Sequence, residues 1–434
     1  MQLVKLVTDT GLTGYGVAMT TTSMNLSSGF GAATPATPPT PARPRRGLFV
    51  LAAATFIGVT TELVPVGLLP AISRDLGASE AAVGTTVSGY ALVVALTAAP
   101  LTAATARWPR RRLLLAVLGL YAASSAVSAL APSLLVLLVG RTLGGLCHGV
   151  FWSMVTGYAA RLVRPELVGR GTAAVFTGSA LAVAAGLPLS TVVGNALGWR
   201  ATFVGTCAAT VLVAVLTRAW LAPLPALPRP ASDGAGAVSL LRSALARRGV
   251  RAVVVMTAVV VLGHYVYFSY VTVYLADLGA SRGTTSTALL AYGVAGVAAT
   301  VLLSRASAWS AYHRLLVVCV TLLAALTVLA TLPLVGHGSW VVVTAVVATA
   351  VLGGAAISVS FPLQELVFTH AGPAPDAASS LFVGAFNLGI SGGALLGGLL
   401  LETSGSGLLP LVAVVIAAAG VLYARQSPIV SRPR

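Results

Sequence analysis

The sequence predicts an all-α membrane protein: twelve transmembrane helices in two six-helix bundles related by a pseudo-twofold axis. Three observations carry this expectation. The 434 residues are 57% hydrophobic and only 8% charged, with a mean hydropathy of +0.94, whereas a soluble chain needs roughly a quarter of its residues charged to cover its surface. Apolar runs of about 20 residues, the length that crosses a hydrocarbon core, recur with short polar breaks from Gly47 onward. A pattern of six such runs occurs twice, in residues 47–221 and 251–424. The 46 glycines suit helices that pack closely in lipid.

In chain order, residues 1–46 are rich in Thr, Ser, Ala, Gly and Pro and are expected to be a disordered tail. Met19 and Met24 offer alternative starts there, and no apolar core of signal-peptide length follows Lys5. Spans are expected at 48–70, 84–106, 112–131, 134–158, 171–195, 201–221, 252–275, 285–304, 314–335, 339–362, 379–401 and 406–424. The break at 222–250, with Pro223, Pro225, Pro228 and Pro230, is expected to be a loop carrying a short surface helix over 238–248. Residues 425–434 form a short tail. Repeat symmetry of this kind, with a site at mid-membrane between two bundles, is the architecture of an alternating-access carrier.

The formal net charge of +16 invites a nucleic-acid reading, which the placement of the charges opposes. Of 26 Lys and Arg residues, 22 lie in the tails and loops of one side, three (Arg74, Arg200 and Arg282) on the other, and Arg141 within a span. By the positive-inside rule both termini and the central loop are expected in the cytoplasm, in a multi-pass protein of the plasma or inner membrane. The arginines then mark topology, and no nucleic acid is expected as a partner. Cys147, Cys207 and Cys319 sit inside apolar runs, as packing residues rather than a disulfide or metal framework. No Gly-Lys-Ser/Thr phosphate loop and no clustered nucleophile or ligands are visible, so neither ATP-driven transport nor an enzyme is expected, nor any metal or cofactor.

Six fragments carry a resemblance. They are Thr60-Thr61-Glu62-Leu63-Val64-Pro65-Val66-Gly67-Leu68-Leu69 in span 1, His148-Gly149-Val150-Phe151-Trp152-Ser153 in span 4, Gly186-Leu187-Pro188-Leu189 in span 5, Gly198-Trp199-Arg200 before span 6, His264-Tyr265 with Tyr270 in span 7, and Phe386-Asn387-Leu388-Gly389-Ile390 in span 11. In order and spacing the chain resembles the major facilitator superfamily over about 47–424. Within it the chain is similar to the sugar efflux branch, bacterial exporters of arabinose and related sugars or thiogalactosides; related drug exporters share several fragments. The resemblance implies a monomeric secondary transporter that exports a sugar or sugar-like small polar solute, in antiport with protons. The alternatives are a proton-coupled multidrug or antibiotic exporter and, from another class, a non-transporting membrane sensor. The family's loop between spans 2 and 3 carries an aspartate, but here Thr102, Ala106 and Pro109 stand at its conserved-type positions while Arg107, Arg110, Arg111 and Arg112 remain. The carboxylate latch is therefore not carried over, and Arg107, Arg110 and Arg111 are expected to serve as conformational or topological anchors.

Arg141 matches the family's pattern of an arginine followed four residues later by Gly145. An arginine in hydrocarbon is costly unless paired or hydrated, so it is expected to face the bundle interior. Residues 141, 148 and 152 return to one helical stripe, which puts Arg141, His148 and Trp152 on one face. Glu62 and Arg141 lie at similar depth, and the expectation is an interior ion pair in which Glu62 protonates or accepts hydrogen bonds from substrate hydroxyls. His148 and His264 are further proton-coupling candidates, with packing as the competing reading. Trp152, Tyr267, Tyr270, Gln364, Phe386 and Asn387 are expected to line the substrate cavity with Glu62 and the two histidines, because a tyrosine offers both an apolar ring and a hydroxyl to a sugar. Tyr265 and Phe268 fall on the neighbouring face of span 7. Gly178, Gly186, Pro188 and Gly194 in span 5, and Gly389 and Gly393 in span 11, are expected to serve close packing or bending.

Overall fold

The computed structural model describes residues 44–105, 107–164, 168–224, 237–306, 309–336, 338–372 and 375–426. The first bundle comprises α1 (Pro44–Leu76), α2 (Glu80–Ala104), α3 (Arg110–Ala129), α4 (Leu134–Leu162), α5 (Val168–Leu181), α6 (Leu187–Leu197) and α7 (Trp199–Trp220). After the short α8 (Ala237–Ala246), the second comprises α9 (Arg248–Phe268), α10 (Val271–Asp277), α11 (Arg282–Arg305), α12 (Ala311–Thr331), α13 (Ser339–Ser358), α14 (Ser360–Ala371), α15 (Pro375–Ser404) and α16 (Leu409–Gln426). Among the described residues twelve stretches are long and apolar enough to cross a membrane, so the chain is a multi-pass membrane protein.

Several span ends lie beyond the apolar windows. The first span opens at Arg45 and the seventh at Arg248, because arginine stems extend along the helix while their heads reach the headgroup level. The expected tail therefore ends before Pro44, and its residues 1–43 lie outside the described residues. The first and seventh spans begin 203 residues apart (Arg45, Arg248), but the sixth and twelfth begin 207 apart (Trp199, Ser406), so no single shift superposes the halves.

Three spans are interrupted. In the fifth, a π-turn over Ala182–Gly186 precedes Pro188, whose missing N–H and ring bulk leave the Ala184 carbonyl without its usual partner. In the tenth, Val359 separates α13 from α14 because Pro362 likewise cannot donate to Ser358. In the seventh, Ser269 and Tyr270 leave the helix, Tyr270 at φ −122° and ψ 20°, with no proline nearby.

Small residues set the packing of the parallel spans. A Cβ at Gly178 would lie 2.1 Å from the Ala52 carbonyl oxygen, at Gly186 2.2 Å from Thr60 Oγ1, and at Gly194 2.4 Å from Leu68. Each step of eight on the fifth span thus meets a step of eight on α1, with the buried Ala182 and Ser190 between. The second bundle repeats the device: Cβ atoms at Gly389, Gly393 and Gly397 would lie 2.8, 2.5 and 2.5 Å from the carbonyls of Ala258, Leu262 and Val266 on α9. Such small-residue ladders at multiples of four let backbones touch, which replaces the hydrophobic drive that lipid does not supply.

Taking the end that carries Pro44 and Gln426 as the terminal face, the bundles are joined toward the far face. Ser79 Oγ donates to Glu402 Oε1 at 2.7 Å, and Thr272 Oγ1 donates to the Val66 carbonyl at 3.2 Å. Tyr270 is fully buried and donates to the Ala394 carbonyl at 2.9 Å. Its hydroxyl end lies where Cβ atoms at Gly84 of α2 and Gly398 of α15 would sit, 1.9 and 2.6 Å away. Deeper in, Gly293 of α11 abuts Ala184 of the π-turn.

Candidate functional site

The centre of the molecule is built on α1 and α4. Pro65 has no N–H, so the carbonyl four residues earlier, on Thr61, loses its helical donor. Arg141 of α4 supplies one. Its Nη1 donates to Thr61 O at 2.6 Å and its Nη2 to Glu62 O at 2.8 Å. Its guanidinium also lies 4.3 Å from the centroid of the Tyr90 ring. Arg141 is 1% exposed. Charged hydrogen bonds of this kind contribute about 1.5–3 kcal/mol each, which offsets part of the cost of burying the cation.

This corrects the expected ion pair: the guanidinium grips the backbone under Glu62, not its carboxylate. The carboxylate instead turns toward His148, with Oε2 3.4 Å from Nε2. Trp152 Nε1 donates to the same Nε2 at 2.8 Å, so that nitrogen is bare and Nδ1 carries the proton, toward Tyr121 Oη at 2.6 Å. Nε2 has a single lone pair, which the Trp152 indole N–H already occupies, so the Glu62 carboxylate lies beside an imidazole nitrogen that has no proton to give it. Arg141, His148 and Trp152 do share a face of α4, and Gly145 between them admits α2: a Cβ there would meet the Tyr90 carbonyl at 2.9 Å.

Glu62 borders a small cavity of about 10 Å³, room for about one water, lined also by Leu63, Val66, Val87, Tyr90, Arg141, Tyr265 and Ile390. The lining comes from both bundles, through α1, α2 and α4 on one side and α9 and α15 on the other. Glu62 and Tyr265 thus meet at one cavity. The volume is below the 300–1,000 Å³ of ordinary ligand pockets, so the site is closed down in this state. Asn387 and Phe386 lie on α15 about one turn from Ile390. Asn387 is 9% exposed and donates to the Val383 carbonyl at 3.0 Å, and Phe386 packs on Phe382.

Other candidates are placed elsewhere. His264 points into the second bundle, 3.0 Å from Tyr292 Oη and stacked on Phe268, so the two histidines are not brought together. Tyr267 bonds Thr349 Oγ1 at 3.3 Å and packs edge-on to Tyr274, inside the second bundle and away from Glu62. The break at Ser269–Tyr270 takes Tyr270 off the Tyr267 face and into the seam between α2 and α15. Gln364 is half-buried, seven residues from the terminal-face end of its span at Ala371, so it lies roughly 10 Å from that face. Glu62, seventeen residues into its own span, is roughly 26 Å from it. Arg107 is exposed, whereas Arg110 N and Arg111 Nη1 donate to the carbonyls of Leu224 and Leu221 and strap the start of the central linker to α3.

Sequence reasoning missed Tyr121, Tyr90 and Thr272. The signal for Thr272 was present: Pro70 strips the donor from the Val66 carbonyl as Pro65 does from Thr61, and Thr272 of the opposite bundle fills that vacancy. Nothing local marks the two tyrosines, which reach the site from α2 and α3.

Twelve spans in two pseudo-twofold bundles, with a buried carboxylate–imidazole pair at their junction, define a membrane transporter. The chain belongs to the Major Facilitator Superfamily, whose sequence model matches residues 48–376. It is 39% identical over 361 residues to a chloramphenicol efflux pump of Mycobacterium tuberculosis, covering 82% of this chain and 86% of that one. It is 32% identical over 380 residues to a probable sugar efflux transporter of Mannheimia succiniciproducens, covering 87% and 92%. In fold it is similar to a D-xylose–proton symporter, with a TM-score of 0.68 at 16% identity over 89% of this chain and 98% of that one. A bacterial homologue of the human lysosomal transporter Spinster, in an inward-facing and unoccupied conformation, matches with a TM-score of 0.64 at 15% identity over 90% and 94%.

Proposed function

We propose that this transporter, acting as a monomer in the plasma or inner membrane with both termini in the cytoplasm, exports a small hydroxyl-bearing solute of the sugar-like class in exchange for protons. The observation that carries the reading is the Glu62 carboxylate, open to a cavity lined by both bundles and 3.4 Å from the bare Nε2 of His148. Protonated, Glu62 is a neutral acid in this buried site; deprotonated, its carboxylate is an acceptor for a solute hydroxyl. Proton and solute thus compete for one group, which is the minimum requirement of an antiporter. Arg141 positions Glu62 through the backbone, Tyr90 and Tyr265 wall the cavity, and Asn387 and Phe386 extend it along α15. Residues 47–221 and 251–424 rock about it. The two relatives named for sugar efflux and chloramphenicol efflux support the export direction.

A second reading, an antibiotic exporter, is favoured by the cavity wall. Leu63, Val66, Val87 and Ile390 are aliphatic and leave Glu62 as its acidic acceptor, which suits an amphiphile with few hydroxyls. Proteoliposomes with an imposed pH gradient, tested with a labelled sugar panel and chloramphenicol, separate the two. The proposal expects gradient-driven movement of at least one sugar, suppressed by collapsing the gradient. Movement of chloramphenicol alone establishes the second reading, and no movement of either refutes both.

A further inference from the structure

Away from the central cavity, α3 and α7 leave an open groove of about 570 Å³ between them on the outside of the first bundle. It is lined by Leu118, Gly119, Ala122, Val211, Val215 and Arg218, with Ala214 and Ala219 between. Leu118 is fully buried and forms the floor, while Val211 and Val215 stand 50% and 58% exposed at the rim. A Cβ at Gly119 would meet nothing within 4 Å, so the groove is open where a side chain would otherwise fill it.

Three features say what occupies it. First, its length: Gly119 and Ala122 lie nine and twelve residues along α3 from Arg110, or roughly 13–18 Å, close to the ~15 Å of one leaflet of a 30 Å core. Second, Arg218 is exposed at the mouth and has no carboxylate or other acceptor among the described residues. Arg112, also exposed, lies on the same stripe of α3 as Gly119, and neither helix carries an acidic residue. Third, the mouth lies at headgroup level. Trp220, two residues beyond Arg218, is 40% exposed and has the Arg46 guanidinium 5.6 Å from its ring centroid, the arrangement of an interfacial aromatic belt.

We propose that this groove is a binding site for an acidic phospholipid of the terminal-face leaflet, one acyl chain lying over Gly119 and the headgroup phosphate held by Arg218 with Arg112 beside it. The two elements are separable, since the chain requires the open floor and headgroup selectivity requires the arginine.

The test is native mass spectrometry of the full chain in detergent, titrated with dioleoyl phosphatidylglycerol or dioleoyl phosphatidylcholine, for wild type, Arg218→Gln and Gly119→Leu. Both positions are exposed, so each variant folds, which transport activity verifies. Wild type is expected to retain the acidic lipid over the zwitterionic one. Arg218→Gln is expected to weaken phosphatidylglycerol alone by about fivefold, and Gly119→Leu to weaken both lipids. Equal retention of the two lipids by wild type, or selectivity unchanged in Arg218→Gln, overturns the headgroup assignment. Displacement of the lipid by inorganic phosphate alone, or burial of Gly119 in a cross-linked dimer, overturns the acyl-chain assignment.

Discussion

At the scale of single residues, the site follows from what prolines remove. Pro65 and Pro70 each strip one carbonyl on α1 of its donor; Arg141 answers the first from within the bundle and Thr272 answers the second from the opposite bundle. Arg141→Gln is expected to destabilise the protein by about 2 kcal/mol, the loss of charged hydrogen bonds to buried carbonyls. In a Pro65→Ala background the Thr61 carbonyl regains a helical N–H, and the same substitution is expected to cost about 1 kcal/mol less. Detergent-unfolding curves of the four proteins measure this, and strict additivity would refute the assignment. Depth along the helices was enough to bring Glu62 and Arg141 to one level from sequence. It did not reveal that the guanidinium binds backbone rather than the carboxylate, because that depends on the Thr61 carbonyl, whose vacancy is written four residues further on, at Pro65.

At the scale of helices, the interruptions divide by cause. Pro188 and Pro362 announce two of them in the sequence. The third, at Ser269–Tyr270, has no proline or glycine and arises from tertiary packing of the Tyr270 ring into the slot left by Gly84, Gly397 and Gly398. Helical spacing alone therefore put Tyr270 on the wrong face, and Tyr265 rather than Tyr267 lines the cavity. The small-residue ladders were legible as glycines, but their partners on α1 and α9 were not. Gly178→Leu is expected to force α5 away from the Ala52 carbonyl and to abolish folding or transport, because neither backbone has room to yield. By contrast, Thr272→Val keeps the side-chain shape and removes only the hydrogen bond that ties the bundles near the far face. It is expected to fold normally and to raise the accessibility of a cysteine placed at Val66 to thiol reagents added from that face. Unchanged labelling would mean that this bond does not hold the far side closed.

For the whole molecule, composition was the strongest guide. Twelve spans, two halves and the family were all readable from hydropathy, repeat pattern and a few fragments, since lipid forces every span to be apolar and helical. The far-face seam was not readable, because it consists of pairs such as Ser79–Glu402 and Thr272–Val66, separated by more than two hundred residues. Alternating access requires that seam to open while the terminal face closes, with the cavity around Glu62 exposed to each side in turn. The central claim is that Glu62 serves both proton and solute. Its most direct test compares wild type and Glu62→Gln in proteoliposomes loaded with the transported solute, measuring gradient-driven accumulation and gradient-free exchange side by side. The account predicts that Glu62→Gln, which cannot titrate but keeps an amide oxygen to accept a solute hydroxyl, loses accumulation down to the level of empty liposomes while exchange persists. Gradient-driven accumulation equal to wild type would contradict it.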